Sequence, residues 1–104
     1  MINTELLEQT MRHIIDNPKA HNQTVWVDDC GTTACFAGWT CLLSGYRYLG
    51  ERLFSDNHGQ IVHPQQLAVQ LLGLTYEDAH KLFHYENTIE DLQLIVKDII
   101  NKYS

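Results

Sequence analysis

The sequence predicts a mainly α fold: a compact bundle of about five helices around a buried helix at about 32–44, with room for a small β-hairpin at about 52–62. Three observations carry this expectation. First, Thr32 to Leu43 carries no charged side chain. Wound at about 3.6 residues per turn, it turns apolar groups to every side, the pattern of a helix buried all round. Second, Ile89, Leu92, Ile95, Val96, Ile99, Ile100 and Tyr103 fall on one wide arc, a clear helical period. Third, helix-start chemistry recurs before each remaining apolar run.

The first helix is capped by Asn3 or Thr4 and stops at Asn17-Pro18, because the residue before a proline resists helical geometry. Its expected buried arc is Leu7, Met11, Ile14 and Ile15. Glu8 and Arg12 have the i,i+4 spacing of a surface pair, and His13 lies at the margin. Lys19 to Asp29 is a connector in which Thr24-Val25-Trp26-Val27 is extended and lays the Trp26 ring over the core.

In the uncharged helix, Thr32 or Thr33 is the expected cap. Cys35, Trp39 and Leu42 share one face, Phe36 and Leu43 another. Ala34, Gly38, Cys41 and Gly45 form a stripe of small residues that admits a neighbouring backbone. Beyond it, Arg52-Leu53-Phe54 and Gln60-Ile61-Val62 flank Ser55-Asp56-Asn57-His58-Gly59, which has hairpin turn chemistry. Pro64 suits the first position of a short helix that Gly73 ends. Thr75 with Asp78 opens the next, expected to bury Tyr76, Ala79, Leu82 and Phe83, and Thr88 with Asp91 opens the last.

The 104 residues suffice for a single domain with a modest core. A net charge of −6, from 13 acids against 7 bases, argues against unspecific nucleic-acid or membrane binding, which needs a basic surface, and favours a basic protein partner. No basic segment followed by an apolar run marks a signal peptide at the N-terminus, and no apolar stretch reaches the roughly 18–20 residues of a membrane span. Cys35 and Cys41 point apart on one helix and cannot bridge there. Three reduced thiols in a bacterial cytoplasm are the simplest reading.

With those residues in hand, the chain resembles a group of small uncharacterised proteins of actinobacteria and their phages. They share a Cys-Gly-Thr-x-Ala-Cys-x-Ala-Gly-Trp stretch, here Cys30 to Trp39. A turn like Asp56 to Val62 and segments like Ala68 to Leu74 and Ala79 to Phe83 extend the resemblance. It implies no activity, and it does imply a phage or mobile-element setting.

Three chemistries compete for the motif. A cysteine hydrolase would use Cys35 or Cys30 as nucleophile. With Thr32 as cap, Cys35 sits in a first helical turn, where the dipole favours a thiolate, and His58 or His63 would be the base. A structural zinc would take Cys30, Cys35, His58 and His63, or alternatively Glu77, His80 and His84, which share one helix face. A binding module needs neither. Glu86, Glu90, Asp91 and the outward Leu94 would then meet a partner. The reading preferred is the binding module: a small acidic protein that occupies a host protein's surface, without a cofactor, and with a homo-oligomer left open.

Overall fold

The computed structural model describes residues 2–27, 33–50, 53–55 and 58–103. Five α-helices and a small antiparallel sheet are found among them: α1 (Thr4–Asp16), α2 (Phe36–Leu43), β1 (Arg47–Gly50), β2 (Leu53–Ser55), β3 (Ile61–Val62), α3 (Pro64–Leu72), α4 (Tyr76–Leu82) and α5 (Ile89–Tyr103). A short 3-10 turn, Pro18–Ala20, follows α1. None of the helices among the described residues is long and apolar enough to cross a membrane.

Local chemistry places most helix ends where expected. The Asn3 side chain accepts from the Leu6 N–H at 3.1 Å, and its own N–H donates to the Leu72 carbonyl at 2.8 Å, tying the start of α1 to the end of α3. His63 caps α3 through Nδ1, which accepts from Gln65 N–H. Gly73 ends α3 with φ of 69°, a left-handed conformation that glycine takes without a Cβ clash. Thr75 caps α4. Thr88 and Asp91 exchange backbone N–H bonds at 3.1 and 3.0 Å, a reciprocal capping box at the start of α5.

Four details differ from the sequence expectation. The helix expected over 32–44 begins only at Phe36, because Ala34 is held extended by bridges to His21 and Val27. Thr32, the expected cap, lies outside the described residues, as do Asp29, Cys30 and Gly31. Nor is α2 closed on every side: Phe36, Ala37, Gly38, Thr40 and Cys41 are buried, but Trp39, Leu42 and Leu43 are half-exposed. On α1 the buried face is rotated toward Leu6 and Thr10, leaving Ile15 exposed, since the helix packs against both α2 and α5. Tyr76, expected in the core, is 75% exposed. It occupies the first position of α4 and lies over the start of α3, beside His63, Gln65 and Gln66.

The expected hairpin is present as β2 and β3, with Phe54 opposite Val62 and Ser55 opposite Ile61. Arg52, Asp56 and Asn57 lie outside the described residues. The sequence expectation lacked β1, which pairs with β2 and completes the order β1-β2-β3. Its register slips between Tyr48 and Gly50, so Leu49 is the extra residue of a bulge. Its burial alternates, but its residue types do not, since Tyr48 and Leu49 are adjacent, which is why the pattern hid it.

The helices are joined by paired polar groups as well as by apolar burial. Thr40 donates to the Phe36 carbonyl at 3.0 Å, so Thr10 must be the donor in the buried Thr10–Thr40 contact of 3.2 Å between α1 and α2. The Glu8 and Arg12 side chains make no ion pair among the described residues. A different pair matters more. Asp78, only 3% exposed, accepts from Lys102 Nζ at 2.9 and 3.1 Å and from the Tyr103 hydroxyl at 2.9 Å, locking the end of α5 onto α4.

Burial, the largest single influence on Asp78, raises its pKa. The Lys102, Tyr103 and Thr75 hydrogen bonds and the Lys102 charge together outweigh it, so the carboxyl titrates below its ordinary value. A carboxyl depressed in the folded state stabilises fully above its unfolded pKa, about 3.9, and loses that contribution as pH falls through the folded value. Asp78→Asn should therefore melt lower than wild type at pH 7. The gap should narrow below about pH 4. A gap that stays constant from pH 7 to pH 3 in thermal melts would show that the carboxylate charge is not what the latch uses.

Candidate functional site

The connector between α1 and α2 folds back on itself. Ala34 N–H donates to the Ala20 carbonyl at 3.1 Å, Asn22 N–H to the Ala34 carbonyl at 3.1 Å, and Cys35 N–H to the Val25 carbonyl at 2.9 Å. Trp39 adds a 2.7 Å bond from its indole N–H to the Ala20 carbonyl. Gln23, 7% exposed, is the central brace. Its amide donates to the Leu82 carbonyl at 3.0 Å, and its oxygen accepts from the Phe36 N–H at 3.2 Å and from His21 Nε2 at 2.8 Å. One side chain thus joins the connector, the first turn of α2 and the last turn of α4.

This brace leaves an open cavity of about 280 Å³ between the connector and the end of α4. Trp26, Phe83, His80, His84 and Tyr85 supply rings to its wall, and Cys35 and Gln23 also line it. His84 and Tyr85 stack with centroids 4.9 Å apart and planes 18° from parallel. His84 Nδ1 accepts from the Glu86 N–H at 3.2 Å, which leaves the ring proton of the neutral imidazole on Nε2. That Nε2 lies 4.0 Å from the Glu86 carboxylate. Tyr85 is 63% exposed at the mouth.

Cys35 is not in the first turn of α2, as expected, but is its cap. The sulfur accepts from the Gly38 N–H at 3.4 Å and its thiol faces the Trp26 carbonyl at 3.9 Å. Two influences oppose each other here. Burial pushes the thiol up to about 11, outweighing the backbone N–H groups of Gly38, Ala37 and Cys35 that lower it. Cys41, which donates to the Pro64 carbonyl at 3.6 Å, is pushed up to about 12 by burial and by its neighbour Cys35. Both are free thiols, and near pH 7 the thiolate is a trace species at each.

The candidate bases paired with Cys35 from sequence are elsewhere. His63 caps α3 and meets the Trp26 ring edge-on at 5.0 Å. His58 is exposed between β2 and β3. Instead, His80 and His84 line the same cavity as Cys35, a juxtaposition that brings together residues 45 or more positions apart. Spacing could not reveal it. As for a metal, His80 and His84 sit with centroids 6.4 Å apart, and Glu77 pairs with Lys81 at 3.8 Å. Among the described residues no three His, Cys, Asp or Glu side chains come together as ligands. Cys30, named for both the hydrolase and the zinc readings, lies outside the described residues.

The four expected partner-binding residues divide. Glu86, Glu90 and Leu94 are exposed, Leu94 to 64%. Asp91 is exposed too, but its carboxylate is engaged in the α5 capping box. The signal for that role, a threonine three residues before an acid, was visible in the sequence. Comparison with known protein families, with curated proteins and with solved structures finds no match to this chain.

Proposed function

We propose that this protein is a small acidic protein–protein interaction module. In the setting implied by its resemblance to phage proteins, it acts in a bacterial cytoplasm as an accessory factor that inhibits or redirects a host protein. The observation that carries this reading is the open, ring-lined cavity, with the Glu86 carboxylate 4.0 Å from the ring of its lining residue His84 and with Cys35 at its wall a protonated thiol. Aromatic pockets with a polar rim are the usual anchors of protein interfaces. Glu86 and Glu90, beside that mouth and at the start of α5, suit a basic partner surface, where complementary charge speeds encounter.

A second reading has one observation in its favour. Cys35 shares the cavity with His80 and His84, as a cysteine hydrolase would require. Its buried sulfur accepts a backbone N–H, and its raised pKa counts against a nucleophile.

Both readings meet in one experiment. Wild type and Glu86→Lys/Glu90→Lys, with Asp91 left intact to keep its cap, are used as bait in a bacterial lysate at low and high salt. The expected result is a partner captured by wild type, lost by the double reversal and weakened by salt, with unchanged melting of the variant. In parallel, iodoacetamide should leave Cys35 and Cys41 unmodified in native protein and alkylate both after denaturation. Capture indifferent to the reversal, or no capture at all, would overturn the interaction reading. Rapid native alkylation of Cys35 would favour the hydrolase.

A further inference from the structure

We propose that the cavity between the connector and α4 seats an arginine side chain presented by the basic partner, with the stem against Trp26 and Phe83 and the guanidinium over the stacked His84–Tyr85 pair beside Glu86. This rests on the interaction reading and names the chemistry that the cavity selects.

The lining decides the class of occupant. Among the described residues, none of the lining side chains is Asp, Glu, Lys or Arg. Of the lining side chains that carry an amide or an aliphatic hydroxyl, Gln23 is engaged by three partners and the Thr24 hydroxyl by Asn22 at 2.6 Å, which leaves the exposed Gln65 amide beside the rings. The wall therefore presents mainly ring faces and aliphatic carbon to an incoming group. Its volume lies just under the range of about 300–1,000 Å³ that takes drug-sized ligands, so it suits one long side chain.

The rim then decides among side chains. Glu86 is exposed, and its ion-pair neighbour among the described residues is the His84 ring at 4.0 Å, whose Nδ1 is already an acceptor. An apolar anchor would fill the wall and leave this carboxylate unused. A lysine would bring charge as a compact, strongly hydrated ammonium. Arginine alone combines a long apolar stem with a flat, weakly hydrated cation that stacks on aromatic faces and pairs with a carboxylate. The stack of His84 on Tyr85 provides a flat surface of that kind, and the backbone bond from Glu86 N–H to His84 Nδ1 holds it in place. The chain's net charge of −6 adds a field that draws a basic segment toward the mouth.

The test needs no partner. The full chain, isotopically labelled, is titrated with three blocked pentapeptides, Gly-Gly-X-Gly-Gly, where X is arginine, lysine or leucine. Saturable shifts of the Trp26 indole and Tyr85 amide signals are expected with arginine, with weaker binding for lysine and leucine. Tyr85→Ala and Glu86→Gln, both at exposed positions, should weaken the arginine peptide by roughly tenfold through loss of cation–π and charge contacts. Glu86→Gln should leave the leucine peptide unchanged. Leucine binding as tightly as arginine would overturn the proposal in favour of an apolar anchor. Absence of saturable Trp26 shifts, or an arginine affinity indifferent to both substitutions, would overturn it outright. Failure here is separable from failure of the interaction reading: a partner still captured by Tyr85→Ala retires the arginine seat alone, whereas a lysate yielding no partner retires the module.

Discussion

Gly38→Ala should unfold the protein or lower its melting temperature by roughly 12 °C or more, the equivalent of about 3 kcal/mol in a chain of this size. Two effects oppose each other at this position. Alanine is the better helix former by about 1 kcal/mol, so in an open helix the substitution would stabilise. In α2 a Cβ at residue 38 would stand 1.8 Å from the Trp26 carbonyl oxygen and 2.9 Å from both the Trp26 carbonyl carbon and the Ala34 Cβ. These are backbone atoms and a fully buried methyl, not the ends of flexible side chains, so no rotamer change relieves the overlap. The connector must lift off α2, and with it goes the backbone carbonyl facing the Cys35 thiol.

The control is Gly45→Ala. Gly45 has φ of 85°, but nothing lies within 4 Å of its would-be Cβ. Its cost is the left-handed conformation alone, about 1–2 kcal/mol. Thermal melts of the two variants separate crowding from backbone conformation. A Gly38→Ala protein that melts within a few degrees of wild type would show that the connector does not lie against α2.

Gln23→Leu should cost about 2–4 kcal/mol, although the side chain stays similar in size and becomes more apolar. The loss is asymmetric. The Leu82 carbonyl keeps a second donor, the Asn87 amide at 3.2 Å. The Phe36 N–H, at the start of α2 on a fully buried residue, loses the acceptor that Gln23 supplies and pays the desolvation penalty of a stranded donor. Hydrogen exchange at the Phe36 amide provides a local reading beside the melt. Exchange should accelerate sharply in Gln23→Leu, and the arginine peptide should bind more weakly because the connector forms one wall of the cavity. Unchanged exchange at Phe36 would show that the glutamine is not its protector.

These two positions mark the boundary of what pattern reading reaches. Gly38 was legible as part of a small-residue stripe that lets a backbone approach. Which backbone approaches was not: it is the extended connector at Trp26 rather than a second helix. Gln23 gave no signal, since a lone glutamine in a polar loop has the statistics of a surface residue. The candidate site divides in the same way. The exposure of Glu90 and Leu94 follows from helical phase and that of Glu86 from its place in the turn between α4 and α5, whereas the cavity joins residues 23–26 and Cys35 to residues 80 and 83–85.

The sequence by itself determined the mainly helical class, the bounds of α1 and α3, the start of α4, the capping box that opens α5, and the β2–β3 pairing. Each depends on chemistry within a few residues: an Asn or Thr hydrogen-bonding N–H groups two or three positions on, a proline that cannot continue a helix, a glycine that accepts positive φ. Only the tertiary structure decided where α2 begins, which faces of α1 and α4 are wet, and that β1 completes the sheet. It alone buried Asp78 under Lys102 and Tyr103 and brought Cys35 to the wall that His80 and His84 share. The bulged β1 excepted, those features rest largely on groups far apart in the chain, as Gln23 is from Phe36 by 13 residues and from Leu82 by 59. Hydrophobic period records which side of an element is apolar, but it holds no information about which distant donor, carbonyl or charge will meet that side once the chain has folded.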